Sequence, residues 1–387
     1  MTELRLTADR VVTPDGVLPN GLLTIRDGVL TDVRPADGPA DGTADGTAAE
    51  RLTGWLVPGF VDTHVHGGGG ADYATTDPAE ALRVRDFHRR HGTTTSLASL
   101  VTTDLDTLVA QIEALVPLVR SGELAGLHLE GPFLSEARCG AHEPTLLRAP
   151  EPAVLDRLLA AGQGTIAMVT LAPELPGGLA AVQRLAAAGI VAAVGHTDAD
   201  EQVIRQALDA GASLVTHLFN AMRPVHHREP GPVPLLLSDP RPVVELICDG
   251  FHLHPDIIRL AVAAAGPARV ALVTDAMTAA GAPDGDYRLG GLRVRVVDGQ
   301  ARVVTADGES GSIAGSTLTM ADAFAFVVGT GVPVPDVAVM AASTPARRHG
   351  LVSRGVIRVG ARADLCLVDD AGGLQRVMQS GSWVRRP

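Results

Sequence analysis

The chain runs to 387 residues with a formal net charge of −12, 44 acidic against 32 basic side chains, and every one of those bases is an arginine. That balance excludes the basic footprint of a nucleic-acid or anionic-membrane binder, so an anionic substrate has to be held by a few local arginines or histidines. The absence of lysine excludes Schiff-base and carbamylated-lysine chemistry, and the length exceeds the ~100–200 residues of an ordinary domain while suiting an α/β barrel with a smaller companion.

In chain order, residues 4–33 alternate through short β-like pieces, with turn signals at Thr13-Pro14-Asp15-Gly16 and Asp27-Gly28. The Ala-Asp-Gly-rich stretch 36–47 reads as a flexible surface loop. Eight short apolar runs then follow at 60–66, 93–100, 125–130, 165–171, 190–196, 213–217, 243–248 and 270–275, of the kind that a strand buried on both faces requires. Between them, residues 78–91, 105–119, 152–161, 179–188, 200–210 and 255–265 carry helix-like apolar spacing. Strands alternating with amphipathic helices imply right-handed βαβ units, and eight such strands close a (β/α)8 barrel of the TIM type. The barrel is expected over 58–350. Further β-like runs at 364–368 and 376–384 complete a composite subdomain from 1–57 and 351–387, a small β-sandwich built from both chain termini.

Barrels of this kind hold their chemistry at the C-terminal ends of the strands, which is where the acidic and imidazole side chains fall. In His64-Val65-His66, strand alternation places both rings on one face, and the glycines at 67–70 let backbone approach closely. Glu130 ends the run Leu127-His128-Leu129-Glu130; a core acid in a salt bridge is the alternative. His196 and His217 repeat the pattern on consecutive runs, and either one alone would read as a satisfied core imidazole. Four histidines and a glutamate at equivalent strand ends instead form a metal site, and nitrogen with carboxylate ligands suits zinc or ferrous iron better than magnesium or calcium. Asp275 closes the eighth run, where it is either a cap for the next segment or a proton acceptor beside a metal-activated water. Metal-dependent hydrolysis is the reaction class that follows.

Three widely spaced cysteines, Cys139, Cys248 and Cys366, with no CxxC pair fit a reducing cytoplasm better than a disulfide framework. The N-terminal residues lack the pattern of a signal peptide, and no apolar run approaches ~18 residues, so a soluble cytoplasmic protein is expected.

The ordered motifs Pro58-Gly59-Phe60-Val61-Asp62, Leu127-His128-Leu129-Glu130-Gly131-Pro132-Phe133, Gly195-His196, Thr216-His217-Leu218-Phe219-Asn220-Ala221-Met222, Asp249-Gly250-Phe251-His252 and Val273-Thr274-Asp275-Ala276 resemble the amidohydrolase superfamily, and within it the N-acetylglucosamine-6-phosphate deacetylases. The resemblance implies removal of acetate from N-acetylglucosamine 6-phosphate by a homodimer with one or two divalent ions per subunit, zinc in the first place and iron as the alternative. It implies that Glu130, His196 and His217 are the principal metal ligands and that His64 and His66 complete a two-metal site bridged by Glu130. Asp275 matches the catalytic acid/base, and His142 a histidine beside the acetamide. Asn220 and Ala221 match contacts to the sugar phosphate. Arg228 and His252 match its phosphate binders, with Arg228 reaching a neighbouring subunit's site. Ala141 precedes the loop histidine, and the segment Ser312, Ile313, Ala314 and Gly315 resembles the one that closes over the sugar. Two residues depart from the pattern: Glu143 stands where relatives often carry asparagine, and Cys139 lies just before the loop histidine.

Three rivals stay open at this stage. One is a deacetylase for another N-acetylhexosamine 6-phosphate such as N-acetylgalactosamine 6-phosphate. Another is a cyclic amidase or nucleobase deaminase on the same barrel, disfavoured by the missing lysine and by the Arg228 and His252 pair. The last is a non-catalytic scaffold, against which the intact ligand set argues.

Overall fold

The computed structural model describes residues 3–36 and 49–385, so the Ala-Asp-Gly-rich stretch lies outside the described residues from Asp37 onward. By contact density the chain divides into two compact units. One draws on the chain up to Asp62, on His88–Thr95 and on the chain from Met320; the other comprises Thr63–Phe87 and Ser96–Thr319.

The terminal segments build a seven-stranded sheet in the order Ser382–Trp383, Leu374–Gln379, Leu365–Val368, Glu50–Pro58, Glu3–Thr13, Gly16–Arg26 and Val29–Pro35. Its pairings are antiparallel except that between Glu3–Thr13 and Glu50–Pro58. The inward positions Leu6, Leu23, Leu56, Leu365 and Met378 form the apolar core under this sheet.

Eight strands form the nearly closed barrel: Phe60–Asp62, Thr93–Val101, Gly126–Glu130, Ile166–Leu171, Val191–Val194, Leu214–Val215, Val243–Ile247 and Val270–Val273, hydrogen-bonded in that order. Each lies inside one of the eight apolar runs or within a residue of it, because strands covered on both faces leave little room for polar residues along their length. The expected helices appear as Pro78–Arg90, Leu105–Arg120, Pro152–Gly162, Gly178–Ala187, Glu201–Asp209 and Pro255–Ala265. Asp200 caps the fifth of these, its carboxylate accepting from Val203 N at 2.9 Å.

Two features depart from the sequence reading. A helix at Pro232–Ser238 starts on prolines, which the first turn tolerates because its N–H groups have no intrahelical partner. After the eighth strand comes an inserted antiparallel sheet, Gly285–Leu289, Leu292–Val297, Gln300–Val304 and Ser310–Ile313. Its signals are in the chain. Val297 pairs with Gln300 across a two-residue Asp298-Gly299 turn with positive φ at both residues, the geometry of a tight hairpin. The insert delays the helix that follows the eighth strand to Met320–Gly329.

Candidate active site

The ligand-type side chains sit just past the strands that deliver them. The fifth, sixth and eighth barrel strands stop at Val194, Val215 and Val273, and His196, His217 and Asp275 each turn into the left-handed region with φ of 48°, 29° and 49°. Such backbone costs on the order of 1–3 kcal/mol per residue and persists only where surrounding contacts fix it. Here Ser135 N donates to His196 O at 3.0 Å, Asn220 N to His217 O at 3.0 Å, and Ser316 N to Asp275 O at 2.8 Å. Just before His196, a Cβ on Gly195 would lie 2.7 Å from Thr216 Cβ and 2.8 Å from Thr170 Cγ2, so only glycine lets these strands close up there.

Glu130 is the hub. Its Oε1 lies 3.1 Å from His217 Nε2, 3.2 Å from His196 Nε2 and 3.4 Å from His64 Nε2, while Oε2 lies 3.2 Å from His66 Nε2 and 3.4 Å from His142 Nε2. Asp275 Oδ1 lies 3.1 Å from His66 Nε2 and 3.3 Å from His64 Nε2. Two compact donor groups result, His64 with His66 and Asp275, and Glu130 with His142 and His196; His217 joins the latter, its Nε2 lying 3.1 Å from that of His196.

Backbone carbonyls fix the ring tautomers. His66 Nδ1 donates to Ser99 O at 3.2 Å and His196 Nδ1 to Arg138 O at 2.9 Å, which in the neutral ring leaves the Nε2 lone pair facing the centre. The His64 and His66 Nε2 atoms stand 3.1 Å apart. Nitrogens bound to one zinc at ~2.0–2.1 Å in tetrahedral geometry stand roughly 3 Å apart, so the donor set fits a divalent cation.

The electrostatics of the bare donor set agree. Burial pushes His64 down, but the Asp275 and Glu130 carboxylates outweigh it and hold the ring well above its ordinary value. His66, also disfavoured by burial, is carried up to about 9 by hydrogen bonds to Asp275 and Glu130. Against their own burial, Glu130 is pulled well below the usual carboxylate range by His64 and the surrounding rings, and Asp275 to about 2 by His64 and His66. The centre is a negative cage that collects positive charge. His142 and His217 are pushed down by burial, which keeps both rings neutral near pH 7.

This centre opens on a cavity of about 460 Å³ whose walls include Ala141, His142, Asn220, Ala221, His252, Ser312, Ile313 and Gly315. Ser312 Oγ donates to Gly140 O at 3.1 Å, tying the end of the inserted sheet to the loop that carries His142. His252 Nδ1 donates to Asp249 Oδ2 at 2.7 Å.

A model of the amidohydrolase family matches residues 55–384. The chain belongs to the amidohydrolase family. An N-acetylgalactosamine-6-phosphate deacetylase from Escherichia coli O157:H7 is 37% identical over 97% of this chain and 98% of its own length. An N-acetylglucosamine-6-phosphate deacetylase from Bacillus subtilis is 34% identical over 95% and 94%. Among solved structures, a mutant N-acetyl-D-glucosamine-6-phosphate deacetylase from Mycobacterium smegmatis, in complex with N-acetyl-D-glucosamine-6-phosphate, superposes with a TM-score of 0.93 at 45% identity, covering 99% of each chain.

The structure gathers most of the residues singled out from the sequence. His66, Glu130, His196, His217 and Asp275 join the wall residues named above around the cavity, with His64 fully buried beside them. Two others fall elsewhere. Ala314 is buried in the core under the inserted sheet. Arg228 is exposed, its Nη1 lying 2.7 Å from His227 Nε2, and does not line this cavity. Glu143 caps the one-turn helix Pro144–Leu146, its carboxylate accepting from Thr145 N at 3.4 Å and from Thr145 Oγ1 at 3.0 Å. Cys139 lines the cavity, and partial burial raises its thiol pKa, so it is not a thiolate at neutral pH.

Sequence reading passed over Glu245 and His128. Glu245 is fully buried in the seventh strand, accepting from Thr63 Oγ1 at 3.0 Å and facing His64 Nδ1 at 3.3 Å. His128 bridges Ser99 Oγ at 2.9 Å and Thr170 Oγ1 at 2.8 Å. Each is a polar residue in the interior of an apolar run, and that interruption is the local signal that could find it.

Proposed function

We propose that the protein is a divalent-metal-dependent hydrolase that removes acetate from N-acetyl-D-glucosamine 6-phosphate and releases D-glucosamine 6-phosphate. The observation that carries the reading is the end-to-end likeness, at 45% identity, to a mycobacterial enzyme in complex with that sugar phosphate. The ligand cage at the strand ends supplies the chemistry such a reaction needs.

Glu130, His196 and His217 would hold one ion, zinc or else ferrous iron, and His64, His66 and Asp275, with Glu130 beside them, would hold a second. Bound there, the ions supply Lewis acidity toward an amide oxygen and lower the pKa of water. Asp275 accepts a proton from the attacking water and passes it to the amide nitrogen as the C–N bond breaks and acetate leaves. His142, neutral by burial, offers a ring N–H to the carbonyl oxygen as negative charge builds on it. Asn220, Ala221 and the segment from Ser312 to Gly315 enclose the sugar. His252 meets its phosphate, and the exposed position of Arg228 suits a residue that completes the neighbouring site in a homodimer.

A second reading, the galactosamine epimer as substrate, is favoured by the Escherichia coli relative. The test is acetate release from each epimer by purified protein, before and after chelation and with zinc or iron restored. Release from the glucosamine substrate that is lost with chelator and regained with metal supports the proposal. Faster release from the galactosamine epimer moves the assignment to the second reading, and none in any metal state refutes both.

A further inference from the structure

We propose that Glu245 is a positioning residue that builds the second cation site by holding His64 as an Nε2 ligand. The inference rests on the two-metal reading of the active centre. Glu245 sits in the middle of the strand Val243–Ile247 with no solvent exposure. A carboxylate taken out of water needs hydrogen-bond partners for its oxygens. Its Oε1 accepts from Thr63 Oγ1 at 3.0 Å, and its Oε2 faces His64 Nδ1 at 3.3 Å. The proton that Nδ1 shares with this carboxylate leaves the Nε2 lone pair for the cluster of His66 Nε2, Asp275 Oδ1 and Glu130 Oε1, at 3.1, 3.3 and 3.4 Å.

The two donor groups differ in this support. His66 and His196 are oriented by neutral backbone carbonyls, of Ser99 and Arg138 respectively, whereas His64 is oriented by a carboxylate. A carboxylate on the far nitrogen of a ligating imidazole makes the ring a stronger donor and restrains its rotation, and losing such a partner typically weakens metal binding 10- to 100-fold. Glu245 therefore acts on the ion between His64, His66 and Asp275 and leaves the ion at Glu130, His196 and His217 nearly untouched.

The experiment titrates metal-free wild-type protein, Glu245→Gln, Thr63→Val, His66→Ala and the His66→Ala/Glu245→Gln double variant with Co²⁺. Cobalt absorption and elemental analysis count the ions bound per chain, and near-UV circular dichroism monitors the fold. Wild type should take up two ions. Glu245→Gln should keep one at unchanged affinity and bind the other 10- to 100-fold more weakly, and Thr63→Val should shift the same site by less. In the His66→Ala background, which removes that site, Glu245→Gln should have no further effect. Two ions bound by Glu245→Gln at wild-type affinity, or equal weakening of both, would overturn the proposal while leaving the two-metal reading intact. A single ion in wild type would overturn both. If Glu245→Gln does not fold, Thr63→Val decides: an unshifted second site refutes the role.

Discussion

Replacing Asp275 by asparagine tests the catalytic assignment most directly, because the structure gives this carboxylate two possible duties. Its Oδ1 lies within 3.3 Å of two imidazole nitrogens, as a metal ligand would, and it borders the cavity, as a proton carrier must. Asparagine keeps the shape and one oxygen donor but cannot accept a proton. A positioned general base contributes about 10²- to 10⁴-fold, or roughly 3–5 kcal/mol of barrier at ~1.4 kcal/mol per decade. The His64 and His66 charges that hold the Asp275 carboxyl at about 2 would make it a poor base. Those rings must give up their protons before their lone pairs can hold a cation, so the depressed value belongs to the bare donor set. The expected outcome is a kcat for Asp275→Asn lower by 10²- to 10⁴-fold, with the ion at Glu130, His196 and His217 retained in elemental analysis. Turnover within tenfold of wild type would remove Asp275 from proton transfer. Loss of all bound metal would make it a ligand first and defeat the reasoning.

Arg228→Ala should raise KM for the phosphorylated sugar about 10- to 100-fold, the weight of a charge-assisted hydrogen bond of ~1.5–3 kcal/mol, and leave an unphosphorylated analogue unaffected; equal effects on both would take it out of the phosphate site. If Arg228 serves a neighbouring subunit, mixing Arg228→Ala with Asp275→Asn protein should produce active sites with the wild-type KM, which neither variant has alone, and a KM that stays raised refutes the shared site. Asp249 accepts from the backbone N–H groups of Phe251 and His252, both at 2.8 Å, and from His252 Nδ1. Although burial opposes it, His252 and these donors hold its carboxyl below the usual range. A depressed carboxylate stabilises the fold fully above its unfolded pKa of ~3.9 and loses that contribution as pH falls through the lower folded value. Asp249→Asn should therefore lower Tm at pH 7 and converge on wild type in acid, and a Tm gap constant with pH would contradict the pairing.

The barrel was legible because burial on both faces writes eight apolar runs into the chain, and the candidate ligands stand out because each interrupts such a run at its end. Glu130, His196, His217 and Asp275 announce themselves within a window of six or seven residues. What holds them does not. The Glu245 to Thr63 contact joins positions 182 residues apart, and the carbonyl that orients His196 belongs to Arg138, 58 residues upstream. The left-handed backbone at His196, His217 and Asp275 likewise has only a weak local signature, since histidine and aspartate enter that region more readily than most residues but far less readily than glycine. The inserted sheet is legible through Asp298-Gly299 and the alternation of Leu292–Val297, but it interrupts the strand–helix period that marks the barrel. Arg228 marks the opposite limit. It matches a phosphate binder by resemblance, yet the fold leaves it exposed and outside the cavity of its own chain, which no residue beside it announces. The identity of a donor atom is thus a local property, while its orientation belongs to the closed barrel. Substitutions at Glu245, Thr63 and Asp249 test that division, since each leaves every candidate donor in place and alters only what holds it.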